Sequence, residues 1–153
     1  MNIWRVIFLV IHIISAGLWI SQFPVSLLLD QVRKNLSPDA LPAFRMTQGR
    51  VLSGLGQLGG MGIILSGLGL IWADGWGLFG LTAFTPTWLI VKQVFYVIAM
   101  GIVGALVVPG QRKMLEAKTA SDIDAAVNRT LTASHFVNLI VLVNIVLAVW
   151  RPF

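Results

Sequence analysis

The sequence contains no cysteine and few charged residues. Without cysteine, the chain can form neither disulfide bonds nor thiolate-bound metal or iron–sulfur sites. Asp, Glu, Lys and Arg make up 11% of the 153 residues, whereas soluble domains contain about a quarter. Apolar residues make up 57% of the chain, which is more apolar surface than one water-soluble core of this length can bury. These features exclude an ordinary soluble domain and indicate the lipid bilayer as the surrounding medium.

Four long apolar runs predict four transmembrane helices. They cover residues 3–29, 51–73, 87–108 and 132–150. Each run reaches roughly the 20 residues that a helix needs to cross about 30 Å of hydrocarbon. In lipid the backbone must satisfy its own hydrogen bonds, so such runs form helices. We therefore predict an all-α protein, a single polytopic four-helix transmembrane domain.

The basic residues predict how the bundle is oriented. The connections 30–50 and 109–129 hold four Lys or Arg residues each, and 74–86 holds none. The positive-inside rule places the two basic connections in the cytoplasm and both termini outside. Five tryptophans fall at the predicted outer end, where indole rings favour the headgroup level: Trp4, Trp72, Trp76, Trp88 and Trp150. The net charge of +5 therefore fits membrane topology, and nucleic acid is not expected as a partner.

Two polar stretches in the basic connections resemble helix starts. Ser37-Pro38 and Ser121, which is followed by Asp122, predict short surface helices there.

His12 is the first candidate functional residue, because an ionisable side chain inside a membrane is costly and often functional. It lies about 13 Å from the outer end by helix rise. Ser15, Ala16 and Trp19 follow on the same helix face. Two interpretations stay open. His12 is a ligand or redox residue, or it is a neutral histidine bonded to a neighbouring helix.

Lys92 and Tyr96 on the third helix lie at similar depths to His12. The depth of Lys92 differs from that of His12 by only about 6 Å, so the three side chains can form one polar site if helices one and three face each other. Alternatively, Lys92 extends to the headgroups without a function. His135 lies about 10 Å from the level of His12, which disfavours haem ligation by both histidines. We expect an interfacial hydrogen bond for His135.

The second helix is rich in glycine. Gly56 and Gly60 form one pair of small residues four positions apart, and Gly62 and Ser66 form another. Such pairs predict close helix packing. The alternative is that a flat cofactor or lipid lies against this face, with Gly60 in its binding site.

Four segments in this order resemble a known family: FLVIHIISAGLW, GRVLSGLGQLGGMGIILSGLGLIW, TPTWLIVKQVFYVIAMGIVGALVVPGQRKM and VLAVWRPF. The chain is similar to the HemJ-type protoporphyrinogen IX oxidases and, more broadly, to CopD-like bacterial membrane proteins. In the HemJ-type family a first-helix histidine and a third-helix lysine are functional, and the proteins bind haem. The Gly60-Met61 pair also matches the family, whereas Leu28 stands where the family has an arginine.

The resemblance implies a function, a cofactor and a location. His12 and Lys92 would be the catalytic residues, and His12 would ligate the iron of haem b. Lys92, Tyr96 and Gly60 would contribute to cofactor binding. The protein would lie in a bacterial inner membrane.

Three functional hypotheses follow. The first is a haem- or porphyrin-binding, redox-linked membrane protein with its site in the outer half. The second is a non-enzymatic subunit that packs into a homo-oligomer or a larger complex. The third is a small solute or metal transporter with His12 and Lys92 on its path.

Overall fold

The computed structural model describes residues 2–82 and 84–150 and, within them, the side chains of all but Leu115. Its helices are α1 (Ile3–Arg33), α2 (Leu41–Ala73), α3 (Thr87–Ile102), α4 (Val108–Glu116) and α5 (Ala120–Trp150). The π-helical turn Val103–Val107 joins α3 to α4, and a short 3-10 turn, Leu78–Gly80, lies between α2 and α3.

Four membrane spans follow from these elements. The helices α1, α2 and α5 are long and apolar enough to cross a bilayer, as is the continuous segment Thr87–Met114, which we call the third span. Large apolar side chains are exposed along all four spans, as expected of surfaces that face lipid. The predicted all-α four-helix bundle is confirmed, and the chain is a multi-pass membrane protein. We call the end where α1 begins and α5 ends the outer end.

The helices extend further at the inner end than the apolar runs predict. The second begins at Leu41 rather than at residue 51, and the last begins at Ala120 rather than at residue 132. The two expected short surface helices are therefore incorrect, because Ser37-Pro38 lies in the turn before α2 and Ser121 lies in the first turn of α5. Proline lies in the first turn of α2, where its missing N–H is not needed. A continuous apolar run does not extend into these turns because polar and charged residues are interspersed among their apolar ones.

The first two helices pack closely through the glycines of α2. A Cβ added at Gly59 would lie 2.7 Å from the backbone nitrogen of Trp19, a distance that no side chain tolerates. One Cβ added at Gly69 would meet Phe8, and another at Gly62 would meet Ser15. The hydrophobic effect does not drive helices together in lipid, so van der Waals packing must do so. The close backbone contact at these glycines therefore stabilises the pair of helices. The predicted packing role of these glycines is confirmed.

The third span packs mainly against α5. Its π-helical turn precedes Pro109, which lacks the N–H that would bond to the carbonyl of Ala105 within that turn. Trp19 of α1 connects the two halves of the bundle, because its indole packs with Ala99 of α3 and Val137 of α5.

Candidate functional site

His12 of α1 bonds to Ser66 of α2, with 3.0 Å between Nδ1 and Oγ. The Ser66 side chain is buried, and its hydroxyl donates to the carbonyl of Gly62 one turn earlier. A serine has only one hydroxyl hydrogen, so toward His12 its oxygen acts as the acceptor. Neutral His12 then carries its proton on Nδ1, and the lone pair of Nε2 stays available for a ligand or a proton.

The glycines of α2 make room for the imidazole. A Cβ added at Gly67 would lie 3.5 Å from Cε1 of His12, so the ring rests against the backbone of α2. Of the two open interpretations, the histidine bonded to a neighbouring helix is what the structure shows. That bond uses Nδ1 alone, and it orients the ring in the way that a hydrogen-bonded partner orients a metal-binding histidine.

Lys92 lies on the outer part of α3, close enough to His12 for an electrostatic interaction. Its Nζ is 5.7 Å from the ring centroid of Trp88, which is buried. This is a cation–π arrangement. The condition for one shared polar site, that helices one and three face each other, is not met in the main packing, since α3 packs mainly against α5. Lys92 thus acts on His12 through its charge, although α3 packs mainly against α5.

Tyr96 of α3 has an unpartnered hydroxyl in the described structure. Its side chain is half-buried, and its hydroxyl has no hydrogen-bond partner within residues 2–82 and 84–150. It lies one turn further in than Lys92 on α3. A polar site shared by His12, Lys92 and Tyr96 stays a prediction.

Gly60 belongs to a different level of the bundle. It is buried, and a Cβ there would overlap the six-membered ring of Trp19. It lies about 9 Å inward of Ser66 by helix rise. Its observed role is to accommodate the indole, and it does not join the polar group around His12.

His135 also lies apart from that group. Its side chain is exposed, and its ring meets Phe23 edge-on, with 5.5 Å between the ring centroids. This aromatic contact replaces the interfacial hydrogen bond that the sequence suggested.

A buried polar network at the inner end was not predicted. Arg45 is only 4% exposed, and it donates to Asp124 at 2.7 Å, to Gln48 at 3.0 Å and to Asn128 at 3.0 Å. Gln48 in turn donates to Asp30 at 3.2 Å. The network joins α1, α2 and α5. The sequence does carry a signal of this network, because residues 45 and 48, and residues 124 and 128, are spaced to share one helix face. The charges of these connections, however, were interpreted only as a sign of membrane topology.

A single histidine can serve as the protein ligand of a haem, whereas a bare metal ion in a protein usually takes several side-chain ligands. Within the described part of the chain, no group of three or more His, Asp or Glu residues could hold an ion. His12 can supply one nitrogen, which is the number of protein ligands that a five-coordinate haem takes in the globins. Comparisons with protein families, characterised proteins and solved structures found no match for this chain.

Proposed function

We propose that this protein is a redox-linked membrane protein that binds haem b, or a closely related porphyrin, in its outer half through His12. The observation that carries the proposal is the bond between His12 and Ser66. It holds the ring in place and directs the proton to Nδ1, which leaves the Nε2 lone pair for the iron.

Each polar residue near His12 has a role in this proposal. Ser66 positions the imidazole and keeps its tautomer. Lys92, which interacts electrostatically with His12, supplies the positive charge that a porphyrin propionate requires at the outer end. Tyr96 offers a hydroxyl without a partner in the described structure, so it can donate a hydrogen bond to the same ligand. Haem, when bound, supplies one-electron chemistry.

We further propose that the protein lies in a bacterial inner membrane with both termini outside. The basic connections, with four Lys or Arg residues each, support this orientation. The site then lies on the outer side of the membrane, where Lys92 can reach the headgroup level.

A haem titration followed by absorption spectroscopy tests the proposal. The purified protein should develop a Soret band that saturates at one haem per chain. His12→Ala should remove or shift the band, whereas the control His135→Ala should leave it unchanged. A protein that stays colourless with excess haem would contradict the proposal and favour a packing subunit. Loss of the band in His135→Ala alone would place the ligand at the inner end instead.

A further inference from the structure

The connection between α2 and α3, residues 74–86, lies at the outer end and carries almost no charge. We call it the outer connection. Its only charged residue is Asp74, which forms an ion pair with Arg5 of α1 at 2.8 Å. The next charged residue along the chain is Lys92, which already belongs to α3. Connections that lie in water are built from polar residues, so the composition of this one points to a different surrounding.

Large apolar side chains of the outer connection are exposed. Leu81 and Phe84 are each 83% exposed, and Phe79 is 51% exposed. On a protein surface, such a group of apolar side chains marks contact with another protein or with a membrane. The exposed apolar surface also continues into both neighbouring spans, since Trp72 of α2 and Val94 of α3 are exposed as well. The outer connection therefore extends the surface by which the spans face lipid.

The polar groups of the outer connection bond within the protein. Oγ1 of Thr85 accepts from the N–H of Gly77 at 2.9 Å and lies 2.9 Å from Oγ1 of Thr82. Other backbone N–H groups with a partner in the protein are those of Gly75, Trp76, Phe79, Leu81 and Thr85. A segment that contacts lipid has to satisfy its backbone in this way, because hydrocarbon offers no hydrogen bonds.

Phe79 has a strained backbone that α3 holds in place. Its φ of 50° lies in the left-handed region, which is uncommon for a bulky residue. Gln93 of α3 accepts a hydrogen bond from the N–H of Phe79 and donates one to the carbonyl of Gly77 at 3.5 Å. The outer connection is thus fixed on the end of α3 with the ring of Phe79 half exposed. Water disfavours an exposed ring, whereas contact with lipid stabilises it.

We propose that the outer connection inserts into the lipid leaflet at the outer end, with Leu81 and Phe84 at the boundary between headgroups and acyl chains. The leaflet is the one that already surrounds the spans, so the contact continues an existing interface. Trp76 and Trp88, whose rings meet edge-on at 5.8 Å between centroids, flank the exposed residues. Indole rings favour the headgroup level, and apolar side chains that insert at that level reach the upper acyl chains.

Single-cysteine variants test this insertion directly, because the chain has no cysteine of its own. Leu81→Cys and Phe84→Cys change exposed side chains, so the fold should be retained. Each variant is labelled with the fluorophore NBD and reconstituted, dilute in lipid, into phosphatidylcholine vesicles. The emission should be blue-shifted relative to that of NBD in water. Phosphatidylcholine with a nitroxide high on its acyl chain should quench most of the emission, and lipid with the nitroxide at the chain end should quench less.

Asp39→Cys, in the exposed turn before α2, is the matched control. The first turns of α2, residues 41–51, extend about 15 Å by helix rise, so this label lies beyond the apolar part of the helix. It should emit as in water and should not be quenched by either lipid. Both readouts are independent of the direction in which the chain inserts into the vesicles.

Two results would overturn the proposal. Emission from Leu81→Cys and Phe84→Cys that matches the Asp39→Cys control would show that the outer connection lies in water. Blue-shifted emission that neither nitroxide lipid quenches would show that protein covers it, such as a second copy of this chain. The measurement does not involve haem, so its outcome is independent of the Soret test.

Discussion

The indole of Trp19 occupies the space that a side chain at Gly60 would need. Trp19 also belongs to one buried cluster with Ala99 of α3 and Val137 of α5, so the absence of a side chain at Gly60 makes room for an indole that links α1 to that cluster. One small residue thus determines how the two halves of the bundle meet.

Gly60→Ala should destabilise the protein by about 1–3 kcal/mol, because an added methyl group overpacks a tight contact. Gly54→Ala on the same helix is the matched control, since a Cβ there meets nothing within 4 Å. It should be neutral or stabilise the helix by up to about 1 kcal/mol. Unfolding of both variants in detergent gives the comparison. Equal effects of the two substitutions would show that Trp19 does not require Gly60.

Ser66→Ala should weaken haem binding and shift the Soret band, because His12 loses the acceptor that holds its Nδ1–H. It should also lower the free energy of unfolding without haem by about 1–3 kcal/mol, the cost of an unpaired buried polar group. Ser66→Thr retains the hydroxyl and should restore the spectrum. If Ser66→Ala binds haem with unchanged affinity and spectrum, Ser66 does not position the ligand.

Arg45→Met should destabilise the inner end by about 1.5–3 kcal/mol, the range for hydrogen bonds to charged groups. Water can reach Asp124, whose side chain is 53% exposed. The free energy of unfolding should therefore fall by less than it would for a fully buried ion pair. Arg33→Met is the control. Arg33 faces Asp30 at 3.5 Å on the surface, and its removal should cost less than about 1 kcal/mol. Similar decreases in the free energy of unfolding for the two variants would mean that the buried network stabilises the protein no more than a surface ion pair does.

A reporter enzyme that is active only outside the cytoplasm should be active when fused after Phe153. The same reporter inserted between Ala117 and Lys118 should be inactive, because the positive-inside rule keeps that connection in the cytoplasm. The reverse pattern would invert the orientation and move the His12 site to the cytoplasmic side.

The sequence by itself was enough to determine the membrane class, the four spans and the close packing of α2. These properties depend on features of one segment at a time: its apolar length, its number of charges and the spacing of its glycines. It also identified His12 as a residue that needs a partner, because depth in a span can be estimated from helix rise alone.

Only the tertiary structure decided which side chains meet. Three contacts join residues far apart in the chain: His12 with Ser66, the indole of Trp19 over Gly60, and Arg45 with Asp124. A periodic pattern gives the face and depth of a residue but not the order of helices around the bundle. That order follows from which surfaces pack most closely, and it placed α3 beside α5, away from α1.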